Sequence, residues 1–279
     1  MSRSESTPGS ATSFLRGIRS YLFDLDGCLW FGDVLADGAT ELVRDLRDAG
    51  LSVGFLTNAS VASGAELAAK LTRLGIPATA EQVLAPLDVV ADHDAVRDSQ
   101  GAFVLGTGSV AARLRERGVP VVSDPAQADV VVVGKDTNAT YRDLAAATHA
   151  LRLGARLVAL NLDASVPAAG GRREPGVGAI VAALTTASGV AAASVGKPSA
   201  LFFQVALQRF AMSPERTVMV GDTPETDVRG GRAAGLRTVL LRPGTPDAPE
   251  SRGGERDAAD EPDLQVPDLH ALRRMLLSG

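Results

Sequence analysis

Hydrophobic positions along the chain alternate between two periodicities. Short runs rich in β-branched residues are typical of buried strands. The longer stretches between them carry apolar residues three and four positions apart, which is typical of amphipathic helices. This alternation predicts an α/β protein built on parallel sheets. The predicted strands cover residues 20–23, 51–56, 102–105, 119–122, 130–133, 155–160, 217–220 and 236–241, and two of the predicted helices cover 141–153 and 177–187.

The pattern also suggests that one domain is inserted into another. The parts of the chain before Pro77 and after Ser194 share a pattern that the residues between them lack. In both of these parts a strand runs directly into an acidic or hydroxyl residue. In a parallel sheet such strand ends meet in one crevice. We therefore expect a disordered leader at 1–17, a discontinuous core domain at 18–78 and 194–279, and an inserted domain at 79–193. Residues 243–262, rich in Pro, Gly and charge, predict a mobile loop.

Composition narrows the classes of function. The 279 residues are 45% hydrophobic and 22% charged, as in ordinary globular proteins, and the net charge of −5 argues against general nucleic-acid binding. No apolar stretch is long enough to span a membrane. Residues 1–12 lack the apolar core of a signal peptide, so a cytoplasmic protein is expected. The single Cys28 excludes an internal disulfide and a multi-cysteine metal site.

The first candidate site is the acidic run that follows the first strand. Asp24 and Asp26 are two residues apart, so both carboxylates can point to one side of an extended chain. They repel each other unless a cation lies between them or one holds a proton. An EF-hand calcium loop needs glycine where this run has Leu29. A pair of solvated turn acids is the other interpretation that the run leaves open.

A second acidic pair follows the strand at 217–220. Asp222 ends that strand and Asp227 lies five residues later. With Asp24, these carboxylates supply the hard oxygen ligands that suit Mg²⁺. Capping of the helix that follows is an equally good explanation of the pair when it is taken alone.

Two further segments offer groups that bind anions. Lys197 lies between Gly196 and Pro198, which predicts a fixed ammonium able to hold a phosphoryl oxygen, although an isolated lysine is more often a surface charge. A Walker loop is excluded because Pro198 follows the lysine. Thr57 and Asn58 end a strand and add a hydroxyl and backbone N–H groups, or they are ordinary turn residues.

In this order the four segments resemble the motifs of the haloacid dehalogenase superfamily of phosphohydrolases. The matching segments are FDLDG at 23–27, LTN at 56–58, GKPS at 196–199 and GDTPETD at 221–227. Residues 133–136, 161–163 and 175–180 are similar to the cap of its type IIA branch, which includes p-nitrophenyl phosphatases, phosphoglycolate phosphatases and sugar-phosphate phosphatases. The resemblance implies a Rossmann-like three-layer parallel-sheet core with an inserted α/β cap domain.

The resemblance also implies a mechanism. The protein would be a Mg²⁺-dependent phosphatase that hydrolyses small-molecule phosphate monoesters through an aspartyl-phosphate intermediate. Asp24 would be the nucleophile, and Asp26 the general acid and then the general base. The metal would be held by the side chains of Asp24 and Asp222 and the carbonyl oxygen of Asp26, with support from Asp227.

Substrate contacts follow from the same resemblance. Thr57 and Lys197 would bind the transferred phosphoryl group and count with the catalytic residues. Asn58 would also contact substrate, and Asn161 and Asp163 are candidates from the cap. The partner would be a small phosphorylated metabolite, with no nucleic acid and no membrane. Dimers through the cap occur among similar proteins.

Several features leave the substrate and the alternatives open. Ala59 stands where a second Asn is common, and Arg172-Arg173 lengthens a loop of the cap. Residues 106–111 fit a relaxed dinucleotide fingerprint, but any short turn between strand and helix needs small residues. Trp30 follows the acidic run and either lines the site or simply packs. Phosphoryl transfer to another acceptor, as in a mutase, and a non-catalytic nucleotide- or metabolite-binding protein on the same scaffold are the alternative functions.

Overall fold

The computed structural model describes residues 14–167, 172–242 and 257–277. Most of the predicted leader (1–13) and most of the predicted loop (243–256) lie outside these ranges. By its internal contacts the chain divides into two compact units. The first unit comprises the described parts of Met1–Leu56, Ala68–Val83 and Ala206–Gly279, and the second comprises Thr57–Leu67 and the described parts of Leu84–Val205. The domain boundaries inferred from the sequence, at 79 and 193, stay a prediction.

The described residues form strands that mostly follow the apolar runs. They are β1 (Ser20–Asp24), β2 (Trp30–Phe31), β3 (Val34–Leu35), β4 (Ser52–Leu56), β5 (Val83–Leu84), β6 (Ala102–Leu105), β7 (Val121–Val122), β8 (Val130–Val133), β9 (Arg156–Ala159), β10 (Ser165–Pro167), β11 (Arg173–Pro175), β12 (Ala192–Ser194), β13 (Thr217–Gly221), β14 (Arg237–Leu241) and β15 (Leu264–Val266).

The helices alternate with these strands, as the sequence pattern predicts. They are α1 (Ala39–Asp48), α2 (Gly64–Leu74), α3 (Pro86–Val89), α4 (Asp94–Arg97), α5 (Gly108–Glu116), α6 (Tyr141–Arg152), α7 (Val177–Ser188), α8 (Ala200–Arg209), α9 (Arg229–Ala233) and α10 (Leu269–Leu277). No helix among the described residues has the length and apolar character needed to cross a bilayer.

A six-stranded sheet in the order β15-β14-β13-β1-β4-β5 organises the first unit. β1 lies between β13 and β4 and is parallel to both. All five residues of β1 are buried, as expected for a central strand that is covered on both faces. The register pairs Phe23 with Val220 and Asp24 with Leu56. The carboxyl ends of β1, β13 and β4 therefore meet at one edge of the sheet.

The second unit contains a five-stranded parallel sheet in the order β12-β9-β8-β6-β7. The four consecutive valines of β8 alternate between its two faces: Val130 and Val132 pack in one apolar cluster, and Val131 and Val133 pack in another. The first cluster includes residues of α3, α4 and α5, and the second includes residues of α6 and α7. Helices thus cover both faces of this sheet.

The order of the strands confirms the predicted α/β class. Strands β6 to β12 all lie in the chain between β5 and β13, so one parallel sheet is inserted within the sequence of another. All eight strands predicted above are present. The strand expected at 119–122 is shorter, and one reason is that Pro120 has no N–H to donate to a neighbouring strand.

Two local features differ from the sequence pattern. Residues 30–35 form the antiparallel hairpin β2–β3, which is too short to produce a hydrophobic period. The helix expected after the second acidic pair begins as a π-helical turn at Pro224–Val228 and continues as α9. The π-turn brings Asp227 back toward the end of β13, where its carboxylate binds the N–H of Thr223.

Candidate active site

The loop after β1 is closed tightly by the carbonyl oxygen of Leu25. It accepts the backbone N–H groups of Cys28, Leu29 and Trp30 at 3.3, 2.9 and 3.1 Å. Gly27 has φ = 90°, a left-handed conformation that glycine adopts without strain, and its N–H donates to the carbonyl oxygen of Trp30. The acidic run is therefore a fixed turn.

Asp24 and Asp26 lie in different surroundings at this turn. Asp24 ends β1 and is buried, whereas Asp26 is exposed. The indole N–H of Trp30 donates to Oδ1 of Asp26 at 2.8 Å. Trp30 itself is buried, so it packs in the first unit while its indole N–H binds a residue of the acidic run.

Three carboxylates gather where β1 and β13 end. One carboxylate oxygen from each of Asp24, Asp222 and Asp227 lies within 4.8 Å of the others. Asp24 and Asp227 are buried and Asp222 is partly buried. Carboxylates this close and this little hydrated repel one another strongly unless a cation or protons neutralise them. Helix capping, the alternative for Asp222 and Asp227, does not account for the presence of Asp24.

Thr223 fixes the orientation of two of these carboxylates. Its N–H donates to Oδ2 of Asp227 at 3.1 Å, and its hydroxyl donates to Oδ1 of Asp222 at 3.1 Å. The sequence reasoning did not single out Thr223, although a hydroxyl residue directly after the second acidic strand end is the signal that could have identified it.

Glycines on both sides leave the room that the cluster occupies. A Cβ atom on Gly27 would lie only 2.8 Å from Cγ of Asp222, and one on Gly221 would lie 2.6 Å from Cβ of Asp227. Any larger residue would displace a carboxylate. The oxygen-only donor set and this cradle fit a small hard divalent cation such as Mg²⁺. Asp24, Asp222 and Asp227 are the side chains that lie close enough to hold or support it.

In the second unit, Asn58 connects the other predicted segments. Its Oδ1 accepts the N–H of Lys197 at 2.8 Å, and its Nδ2 donates to the Lys197 carbonyl oxygen at 3.1 Å and to Oδ1 of Asp163 at 3.2 Å. Lys197 is buried, so it is not the surface charge that the sequence also allowed. Thr57 is buried as well, and its hydroxyl accepts the N–H of Ala59 at 2.9 Å.

Asn161 and Asp163 belong to the same hydrogen-bond network. Nδ2 of Asn161 donates to the Asn58 carbonyl oxygen at 2.6 Å, and Oδ1 of Asn161 accepts the N–H of Asp163 at 3.2 Å. The structure thus brings four of the five residues expected to contact substrate, Asn58, Asn161, Asp163 and Lys197, into one cluster. Asn161 is buried, and both ends of its carboxamide bind protein groups.

The segment 106–111 and the pair Arg172-Arg173, both singled out in the sequence, lie in the second unit. A Cβ atom on Gly106 would lie 3.2 Å from the backbone nitrogen of Gly134, so close packing explains the small residue there. Arg173 opens β11, where its guanidinium donates to the hydroxyl and the carbonyl oxygen of Ser165 on the paired strand β10. The guanidinium of Arg173 therefore stabilises a hairpin.

Comparison with known proteins identifies the family. A model of haloacid dehalogenase-like hydrolases matches residues 21–120, and a second HAD-hydrolase-like model matches 194–272. Mouse chronophin is 37% identical over 273 residues, which cover 92% of this chain and 94% of chronophin. The chain belongs to the haloacid dehalogenase-like hydrolase family. The family membership that the four motifs implied is thereby confirmed.

Other members of this hydrolase family agree. A 5'-nucleotidase of Bacillus subtilis is 34% identical, with 82% of this chain and 89% of that protein covered. The crystal structure of a 4-nitrophenylphosphatase from Thermotoga maritima matches with a TM-score of 0.82 at 28% identity, covering 94% of this chain and 98% of the other. The Rossmann-like α/β fold is thereby confirmed, as is the expected enzyme class, phosphoric monoester hydrolase. The activity is that of a phosphatase on small phosphate compounds.

Proposed function

We propose that the chain is a Mg²⁺-dependent phosphatase that cleaves small phosphate monoesters through a phosphorylated Asp24. The carboxylate cluster of Asp24, Asp222 and Asp227 carries this proposal. Asp24 is a buried carboxylate at a strand end, held in a turn that allows little movement, which suits a nucleophile. Attack by one of its oxygens on phosphorus would form the new P–O bond as the bond to the leaving oxygen breaks.

Asp26 serves as the general acid and then as the general base. It is exposed, and its carboxylate lies on the same turn as the nucleophile. The protonated carboxyl group gives its proton to the leaving oxygen, and the resulting carboxylate then accepts a proton from the water that attacks the phosphorylated Asp24. Inorganic phosphate leaves and both aspartates return to their starting states.

A divalent cation offsets the charge of the carboxylates and of the phosphoryl group when it is bound. Asp24 and Asp222 are proposed as its side-chain ligands, with the carbonyl oxygen of Asp26, and Asp227 as their support. Thr223 keeps Asp222 and Asp227 in place through its N–H and its hydroxyl.

Thr57 and Lys197 are proposed to bind the phosphoryl oxygens. The Lys197 backbone is fixed on both sides by Asn58, which restricts where its ammonium can reach. Asn58 and Asn161 have their carboxamides bonded to protein groups, so we assign them to support of Lys197 and Asp163 rather than to direct contact with substrate. Asp163 remains a residue proposed to contact substrate.

The test is phosphate release by the purified protein from p-nitrophenyl phosphate. Hydrolysis that stops with EDTA and returns with Mg²⁺ is expected. Asp24→Asn should lower kcat by about a thousandfold or more, because the amide cannot form the covalent intermediate. Asp37→Asn is the matched control, since the Asp37 side chain is 96% exposed. An Asp24→Asn protein that keeps its activity would overturn the proposal.

The intermediate and the acceptor need separate measurements. Acid quenching followed by borohydride reduction should convert a phosphorylated Asp24 to homoserine, which peptide mass spectrometry detects. Equal amounts of inorganic phosphate and p-nitrophenol support hydrolysis. A deficit of phosphate when a sugar phosphate is present would instead show transfer to another acceptor.

A further inference from the structure

Trp30 holds one oxygen of the Asp26 carboxylate from within the first unit. Its indole N–H donates to Oδ1 at 2.8 Å, and a backbone bridge also pairs the two residues. Indole nitrogen is a donor only. In a carboxylic acid the carbonyl oxygen accepts hydrogen bonds better than the hydroxyl oxygen does. The indole bond therefore favours Oδ1 as the carbonyl oxygen and Oδ2 as the oxygen that carries the proton.

The indole ring is held in place from several directions. Trp30 is 1% exposed, and its N–H and carbonyl oxygen bind Leu25 and Gly27. The ammonium of Lys70, on α2, lies 4.4 Å from the centre of the ring. A cation over the face of an indole is attracted by the ring's quadrupole and draws electron density from it, which strengthens the N–H as a donor.

Lys70 also ties the ring to the hairpin β2–β3. Its Nζ donates to the carbonyl oxygen of Gly32 at 2.7 Å and lies 3.2 Å from Oδ1 of Asp33. Both residues are in the turn of the hairpin that begins with Trp30. One ammonium thus fixes the ring and the turn next to it.

An exposed carboxylate without such a bond would sample several rotamers. Freezing a side-chain torsion has an entropic cost, and a catalytic group that is already oriented avoids this cost during the reaction. In the first unit a buried, rigid donor points at one oxygen of an exposed aspartate. A fixed donor to Oδ1 is expected where the reaction depends on the direction of Oδ2.

We propose that Trp30 is a positioning residue that orients Asp26 so that Oδ2 delivers the proton to the leaving oxygen, and that Lys70 fixes the indole for this purpose. The proposal rests on the proposed function. In the step concerned, the P–O bond to the leaving group breaks, its electron pair stays on the leaving oxygen, and that oxygen takes the proton from Oδ2. The need for this proton grows as the leaving group becomes more basic.

The test compares two substrates of similar size, p-nitrophenyl phosphate and benzyl phosphate. Nitrophenolate is a weak base and leaves without a proton, whereas benzyl alkoxide needs one. General acid catalysis contributes about 10²–10⁴-fold, so Trp30→Phe should lower kcat/KM for benzyl phosphate roughly tenfold more than for p-nitrophenyl phosphate. Asp26→Asn should also lower kcat/KM more for benzyl phosphate than for p-nitrophenyl phosphate, and by a larger factor than Trp30→Phe does.

Lys70→Met gives a second variant that leaves the indole N–H in place. Its side chain is 23% exposed, so the fold tolerates the change more readily. A selective loss of a few-fold on benzyl phosphate supports the proposal, even if Trp30→Phe fails to fold. Equal losses on both substrates, or none, in folded variants overturn it. If the wild-type protein cleaves neither substrate, the proposed function itself fails. That result differs from the failure of the Trp30 proposal, in which the wild type is active and the variants show no selective loss.

Discussion

The carboxamide of Asn58 binds both backbone groups of Lys197, accepting from its N–H at 2.8 Å and donating to its carbonyl oxygen at 3.1 Å. An asparagine side chain carries the same donor and acceptor pair as a peptide group, so it can replace a neighbouring strand. The same nitrogen also reaches Asp163. Asn58 thereby sets the position of a buried lysine whose own turn contains no regular structure.

Asn58→Ala should lower kcat/KM for p-nitrophenyl phosphate by about 10–100-fold, since leaving buried partners unsatisfied costs about 1–3 kcal/mol. Asn58→Asp keeps an acceptor for the Lys197 N–H but loses both donated bonds and adds charge beside Asp163, so a loss at least as large is expected. Steady-state kinetics and inhibition by inorganic phosphate measure the effect. Asn138→Ala, on an exposed turn of the second unit, is the control. Full activity of Asn58→Ala would contradict the role given to this amide.

Gly27→Ala should abolish most of the activity and raise the Mg²⁺ concentration that the remaining activity needs. The added methyl group would push against the Asp222 carboxylate, and the left-handed backbone adds about 1–2 kcal/mol of strain. Gly50→Ala isolates the strain, because Gly50 has φ = 73° with no atom within 4 Å of a Cβ. Mg²⁺ titration of activity and thermal melting of both variants separate the two effects. If the two variants behave alike, the crowding of Asp222 is not the cause.

The surroundings of His93 predict that the free energy of unfolding falls on mild acidification. Burial lowers the pKa of His93, and this effect together with the charge of Arg156 outweighs the attraction of Asp94. Its Nδ1 accepts the N–H of Ala95 at 3.2 Å, which a proton on Nδ1 would prevent. Because the folded pKa lies below the unfolded value of about 6.5, the free energy of unfolding should decrease as the pH falls below that value.

Urea unfolding at pH 7 and pH 5 measures this slope. His93→Asn retains a side-chain acceptor at the start of α4 and should reduce the difference between the two pH values. His149→Asn, on the exposed side of α6, is the matched control. A slope that is unchanged in His93→Asn would assign the acid sensitivity to other groups.

The sequence allowed the strands to be predicted where apolar residues run without a break, as in β1 and β8. It also placed Asp24 and Asp222 at strand ends, and the parallel register then brings them to one edge. The hairpin β2–β3 could not be predicted, because two residues per strand make no pattern. The role of Asn58 could not be predicted either, since its partner Lys197 is 139 residues away. The indole bond to Asp26 depends on a side-chain direction that spacing does not determine.

The order of strands in the six-stranded sheet has a consequence for synthesis of the chain. β1 can pair with β4 soon after both leave the ribosome, but its other neighbour, β13, is synthesised far later. Cys28, shortly after β1, and its hydrogen-bond partner Val220 in β13 are 192 positions apart in the sequence. At about 5–20 residues per second, roughly 10–40 s separate the synthesis of Asp24 from that of Asp222. During that interval Asp24, the proposed nucleophile, has neither Asp222 nor Asp227 beside it. The carboxylate cluster proposed to hold the metal can therefore form only after β13 has been synthesised.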